Sequence, residues 1–304
     1  MPFAPLALFV YNRPNHTLRV LKALTLNELA GQSELFIFSD GPRHDASEES
    51  IARIQSVRDV IRQKKWCREV HIIEQSTNLG MSQSVISGIT RVLRDHERVI
   101  VLEDDILPSP VFLSFMNESL DFFAREDRVI SISSFNFFAR SKRIPELFFS
   151  QLVDCWGWAT WRRGWDLFEP DAAKLLNEID RQNARLEFNV NDAYDYYGML
   201  RKTNEQEIDS WAIRWYASGF VHKKLSLYPK ISLAKNIGFD GTGVNSGYHV
   251  YSDGRFDWPR HYPALAGRIL ENNQDALREF YDYFHSKQKG LLRRWLDRLF
   301  GLFF

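Results

Sequence analysis

The sequence predicts an α/β fold, with a mostly parallel central sheet flanked by helices and an amphipathic helical tail at the C-terminus. Three observations predict it. Five short runs, LALFVY (6–11), ELFIFSD (34–40), EVHIIEQ (69–75), RVIVLEDD (98–105) and RVISISSF (128–135), are rich in Val, Ile, Leu and Phe, as strands buried on both faces are. Between them, PNHTLRVLKALTLNEL, SEESIARIQSVRDVIRQKK and MSQSVISGITRVLRDH repeat apolar residues every three or four positions, the spacing of amphipathic helices. Strand and helix alternate, which implies crossover connections and a doubly wound layer. The last residues, KQKGLLRRWLDRLFGLFF (287–304), interleave Arg with Leu and aromatic residues.

After Phe135 the alternation breaks into an aromatic-rich stretch that reads as irregular strand and loop. Helical spacing returns over 171–217, and GFVHKKLSLYP reads as a last strand or hairpin. No repeat or low-complexity linker divides the chain, so one domain is expected over 1–265, with an extension at 266–304. Lys and Arg total 39 against 39 Asp and Glu, which removes the basic footprint of a nucleic-acid binder. Cys67 and Cys155 are too few for a disulfide scaffold and too far apart for a CxxC site, so a reducing compartment is expected. The first apolar run is strand-sized and lacks a basic n-region, which reads as a buried strand of a cytoplasmic protein.

Doubly wound sheets bind ligands beyond the carboxyl ends of their strands. Those ends read YNRPN (11–15), SDGPR (39–43), STNLGMS (76–82) and EDDILPS (103–109), and they would bring Arg13, Asp40, Asn78, Glu103, Asp104 and Asp105 to one crevice. On a continuing strand, Glu103 and Asp105 would point one way and Asp104 the other. Three adjacent carboxylates repel one another unless a cation or hydrogen-bond donors are present. A hard divalent ion, Mn²⁺ or Mg²⁺, takes oxygen ligands and shares them with phosphates. The competing reading is a solvated acidic turn ahead of the helix that LPSPVFLSF opens.

VLEDDILPSPVFLSFM resembles the metal-binding segment of the N-acetylglucosaminyltransferase I type of GT-A glycosyltransferase, and NLGMSQSVISGI is similar to a stretch of bacterial family 2 transferases. WGWATWRRGW (156–165) and NIGFDGTGVNSG (236–247) resemble segments of bacterial sugar transferases acting on surface glycans. The resemblance spans roughly residues 5–250 and implies a nucleotide-sugar-binding half at 1–135 and an acceptor-binding half at 136–265. It implies a GT-A fold, a UDP-sugar donor, Arg13 on the diphosphate beside Tyr11, Asp40 on the uracil and Asn78 on the nucleotide side. It further implies Asp104 on the ribose, Glu103 on the donor sugar and Asp105 as the main metal ligand.

Transfer to a hydroxyl needs a base. In the inverting relatives an Asp before a Trp serves, which places the role on Asp209 of EIDSWAIRWY, with Glu207 and Asp154 behind it; Ser210 stands where the family has a second acid. A helix-capping Asp is the competing reading. Trp156, Trp158 and Trp211 are candidates to contact the acceptor or donor sugar, or else core. Gly241 and Gly243 lie in a Gly-rich segment that would close over the donor and exclude water. His222 and His249 are weaker candidates for a second metal ligand.

On a helix, Leu292, Trp295, Leu296 and Leu299 share one side, the pattern of a helix lying in a membrane surface. The expectation is therefore a peripheral enzyme on the inner face of the cell membrane, transferring sugar to a glycan or lipid-linked acceptor in surface polysaccharide or lipopolysaccharide synthesis. Two other classes stay open: a nucleotidyltransferase acting on a sugar phosphate, and a non-catalytic glycan- or membrane-binding protein.

Overall fold

A computed structural model describes residues 2–138, 141–240, 258–267 and 269–286 of the chain. Side chains alternate between two cores along the first strand, β1 (Leu6–Val10): Leu6, Leu8 and Val10 enter one apolar cluster while Ala7 and Phe9 enter a second on the opposite face. The strand has no solvent face, which is why its sequence is apolar without a break. Helix α1 (Pro14–Leu24) starts with Pro in its first turn, where a missing N–H costs nothing. It leads to β2 (Glu34–Ser39), then α2 (Glu48–Arg62), whose N-cap Ser47 accepts the Ser50 N–H at 3.2 Å. Next come β3 (Glu69–Glu74), α3 (Met81–Asp95) and β4 (Arg98–Glu103).

The second half supplies β5 (Ile106–Pro108), α4 (Phe112–Phe122), β6 (Val129–Ser133), β7 (Leu147–Ser150) and β8 (Trp158–Trp161). Four helices follow, α5 (Arg162–Trp165), α6 (Ala172–Arg181), α7 (Arg185–Phe188) and α8 (Tyr196–Asn204), then α9 (Trp211–Val221), β9 (Leu225–Pro229) and β10 (Ala234–Asn236). Residues 274–286 form one more helix, α10.

Eight strands make the central sheet in the order β3-β2-β1-β4-β8-β6-β9-β7. The sheet is mostly parallel, as expected, with β8 and β7 reversed. β3, β2, β1 and β4 run parallel, and β6 pairs parallel with β9, but β8 runs antiparallel to both β4 and β6, and β7 antiparallel to β9. The aromatic WATW run became a central strand because Trp158 fills one cluster while Ala159 and Trp161 fill the other. It arrives from a loop rather than a crossover helix, so nothing constrains it to be parallel.

The segment after residue 265, which the sequence sets apart as an extension, contributes to the core. Ala276, Phe280 and Phe284 recur every fourth residue of α10 and are buried. Phe280 lies 4.6 Å from Phe138 and 5.8 Å from Tyr228, ring centre to ring centre. Residues 287–304, where the interfacial helix is expected, lie outside the described residues, and among those described no helix is long and apolar enough to cross a membrane.

Candidate active site

Strand order reverses between β1 and β4: the chain moves outward from β1 to β2 and β3, then returns to β1's other side. That switch point opens a crevice at the carboxyl ends of the two strands. Arg13, the N-cap residue of α1, reaches across it, and its Nη2 donates to Asp104 Oδ1 at 2.5 Å and to Asp105 Oδ2 at 3.0 Å. The Tyr11 backbone N–H also donates to Asp104, so Tyr11 serves through its main chain. The alternation expected of Glu103, Asp104 and Asp105 does not occur. β4 ends at Glu103, and Asp104 and Asp105 form a turn, which lets both carboxylates meet one guanidinium.

A second layer covers this pair. β10 runs antiparallel to β5 with Asn236 opposite Ile106, and beyond it the Ile237 N–H donates to the Asp105 carbonyl at 2.8 Å. A Cβ on Gly238 would lie 2.2 Å from Asp105 Oδ2 and 3.0 Å from Arg13 Nη1, so a side chain there would displace the Asp105 carboxylate from Arg13. His16, one turn along α1 from Arg13, has its Nε2 3.2 Å from the Ile237 carbonyl and 3.2 Å from Asp240 Oδ2. Sequence reasoning missed Gly238 and His16; the three-residue spacing of Arg13 and His16 on one helix face was the available signal. Gly241, Gly243 and His249 lie outside the described residues.

One guanidinium faces three carboxylates. Burial, with Asp105 and Asp104 nearby, pushes the Glu103 carboxyl up, and burial also raises Asp104 against the opposing pull of Arg13. Asp105 Oδ1 is buried without a hydrogen-bond partner. A cluster of hard oxygens with surplus negative charge and an unmatched buried oxygen fits a divalent cation.

Asp154 lies in the same electrostatic neighbourhood, its charge being among the influences that raise Glu103. It accepts the Trp156 N–H at 3.1 Å and the Ser133 hydroxyl at 3.3 Å, and burial pushes it from 3.8 up to about 7. An acid raised in the folded state contributes stability that is full below its unfolded value and lost as pH rises through the folded one. Asp154→Asn keeps both accepted hydrogen bonds and removes that loss. Urea melts from pH 4 to 8 should show the variant gaining on the parent by up to about 4 kcal/mol near pH 7, then levelling. Parallel stability curves for the two proteins would contradict it.

Asp40 and Asn78 meet, but in each other's service. Asp40 Oδ1 accepts the Gly41 and Leu79 N–H groups at 2.8 Å each, and Oδ2 accepts the Asn78 side-chain amide at 2.8 Å and the Gly80 N–H at 3.1 Å. With one bond from its own loop and three from the loop after β3, Asp40 ties residues 78–80 to the end of β2.

Asp209 is where sequence resemblance puts the base, and its capping alternative fails: Ser210 is the N-cap of α9 and accepts the Ile213 N–H at 3.3 Å. The Asp209 carboxylate is two-thirds exposed and held by Arg214 at 2.8 Å, while its carbonyl accepts from Ser82, at the start of α3. It thus shares the edge of the sheet where the crevice opens. Trp158 and Trp211 do not face that crevice. They stack at 5.7 Å inside the core, since Trp158 is wholly buried and Trp211 4% exposed. Trp156 is the exception, half-buried and edge-on to Phe239 at 5.5 Å. His222 closes the far end of α9 from Asp209 and joins no carboxylate of the crevice.

No protein-family model and no curated protein matches the chain. Among solved structures, the crystal structure of S. aureus TarS overlaps 58% of this chain and 30% of its own, at 12% identity and a TM-score of 0.32. The chain spans under a third of that protein's length, and an overlap of this size fixes neither a shared activity nor a shared site.

Proposed function

We propose that this chain is a metal-dependent, inverting glycosyltransferase with a UDP-sugar donor. The observation that supports this most is the Arg13, Asp104 and Asp105 constellation at the switch point, with an unmatched buried oxygen on Asp105. Asp105 would hold Mn²⁺ or Mg²⁺, which when bound supplies positive charge against a departing diphosphate. Arg13 adds a fixed charge beside the diphosphate, and the Asp104 and Glu103 carboxyls take hydrogen bonds from ribose and donor sugar. The 236–240 strip, drawn onto Asp105 by the Ile237 N–H, covers the crevice and limits entry of water. Asp209, oriented by Arg214, accepts the proton from the acceptor hydroxyl oxygen as that oxygen attacks the anomeric carbon.

On this reading the acceptor is a glycan or lipid-linked sugar of surface polysaccharide or lipopolysaccharide synthesis, approaching over the exposed edge of Trp156, with residues 287–304 resting on the inner membrane surface. Liposome pelleting should fall when the chain ends at Lys289; equal pelleting would remove the membrane contact.

The test of the site is a calorimetric titration of UDP with and without Mn²⁺, on the parent and on Asp105→Ala. Binding should require both the ion and Asp105. Binding indifferent to Mn²⁺ would favour another nucleotide chemistry, such as a nucleotidyltransferase, and none at all would favour a non-catalytic binding protein.

A further inference from the structure

A second set of ligand-bearing side chains lies at the opposite end of the sheet. Glu34 and Glu69 open β2 and β3 and sit opposite each other in the parallel register, and His71, two residues along β3, falls on the same face as Glu69. Among the described residues, Glu34, Glu69 and His71 bring one ligand atom each within 4.8 Å of one another. His71 Nε2 is 2.8 Å from Glu34 Oε1 and 3.5 Å from Glu69 Oε1. From the other side, His96 at the C-terminal end of α3 places its Nε2 3.8 Å from the second Glu34 oxygen, Oε2.

Both imidazoles are positioned by one ring. Phe36, itself packed against the second core cluster, stacks on His71 at 4.6 Å and meets His96 edge-on at 5.8 Å. The His96 carbonyl is held further by Arg162 Nη2 at 3.1 Å. Two imidazole nitrogens therefore converge on the two oxygens of one carboxylate, with a second carboxylate alongside, from three separate parts of the chain. Charged residues on an edge strand often only keep it from pairing with other chains. That role asks for no convergence of nitrogens and no shared aromatic support.

We propose that Glu34, Glu69, His71 and His96 form a second divalent-metal site, of the zinc class, remote from the candidate active site. Glu34, Glu69 and His71 hold three ligand atoms together, and His96, outside that group but 3.8 Å from Glu34 Oε2, turns in as the fourth to complete the nitrogen and oxygen set that Zn²⁺ accepts. The ion takes the place of the direct His71 Nε2 to Glu34 Oε1 contact, 2.8 Å in its absence. Glu34 and Ser39 bound the same strand, so the site stands about 17 Å from the crevice edge at roughly 3.3 Å per residue. Its role is structural: it ties the edge strand β3 to β2 and to the end of α3.

The experiment uses the untagged full chain, freed of metal with a chelator and titrated with ZnCl₂ against a chromophoric zinc indicator. Asp105→Asn serves as the background that removes the acidic crevice as a competing site. One equivalent should bind with Kd of about 10 µM or tighter, and the melting temperature should rise by about 3 °C in excess zinc. Affinity should fall at least about tenfold in His71→Gln and in Glu69→Gln, and be lost when His71→Gln is combined with His96→Gln. These side chains are partly exposed, so the variants should melt with the parent in chelator. Should the double variant fold poorly, Glu69→Gln, with a side chain 56% exposed, still decides the question. Co²⁺ should give the strong visible absorption of a four-coordinate site in the Asp105→Asn background. Zinc binding weaker than about 100 µM, or one equivalent that survives loss of both histidines, would overturn the proposal and leave these groups as solvated edge charges.

Discussion

Asp209→Asn is expected to lower sugar transfer by about 10² to 10⁴-fold while leaving Mn²⁺-dependent UDP binding and the melting temperature unchanged. The expectation rests on the division of labour at the start of α9. Ser210 caps the helix, Trp211 anchors it by stacking on Trp158, and Asp209 is left with an exposed carboxylate oriented by Arg214. An amide in that place can still accept from Arg214 but cannot take a proton from an attacking hydroxyl. Measured at saturating donor, the loss should therefore fall in kcat. Activity within about threefold of the parent would move the base to Glu207 or Asp154. Of these, Asp154 is buried and already engaged by the Ser133 hydroxyl and the Trp156 N–H.

Arg13→Met carries the largest expected cost in stability, about 3 to 5 kcal/mol at pH 8, because it leaves two carboxylates buried without their counter-charge. Arg13 is 15% exposed in its side chain, with Asp104 at 5% and Asp105 at 14%, so water cannot take its place. The pH dependence gives the cause. Asp104 is already raised by burial, and losing Arg13 raises it further. A raised acid contributes stability that is present at low pH and lost as pH rises through its folded value, so the deficit should be small near pH 4 and grow toward pH 8. Millimolar Mn²⁺ should restore part of it by supplying another positive charge. A deficit independent of pH would mean that lost packing of the Arg13 stem, not charge, is responsible.

Much of the fold was legible in residue spacing. The five apolar runs became β1, β2, β3, β4 and β6, and the three amphipathic stretches became α1, α2 and α3. Periodicity reports which faces of a segment are buried, and these segments are long enough to report it clearly. The WATW strand was read as irregular because four residues with two Trp carry no period. Proximity of Arg13 to the acidic cluster was legible for a similar reason: in a doubly wound sheet, residues just beyond strand ends share one edge.

What those residues do at the edge depended on contacts that no local pattern contains. Asp40 and Arg13 look equivalent in sequence, each following a strand, yet Asp40 is taken up by donors of the loop after β3 while Arg13 crosses to the acidic turn after β4. The tryptophans of WGWATW divide, Trp158 and Trp161 in the core and Trp156 at the crevice, because Trp156 precedes the strand, set off from it by Gly157 at positive φ, and the return of residues 236–240 brings Phe239 against it. Glu34, His71 and His96 are separated by 37 and 25 residues and meet only through the parallel register of β2 with β3 and the packing of α3. By itself, then, the sequence determined which segments of the first 135 residues are strands and helices and which ends carry charge, since burial and backbone preference act within a few residues. The tertiary structure alone decided which charges are matched, which oxygens are left without a donor and which rings stay accessible, because those depend on distances between segments that only the folded chain brings together.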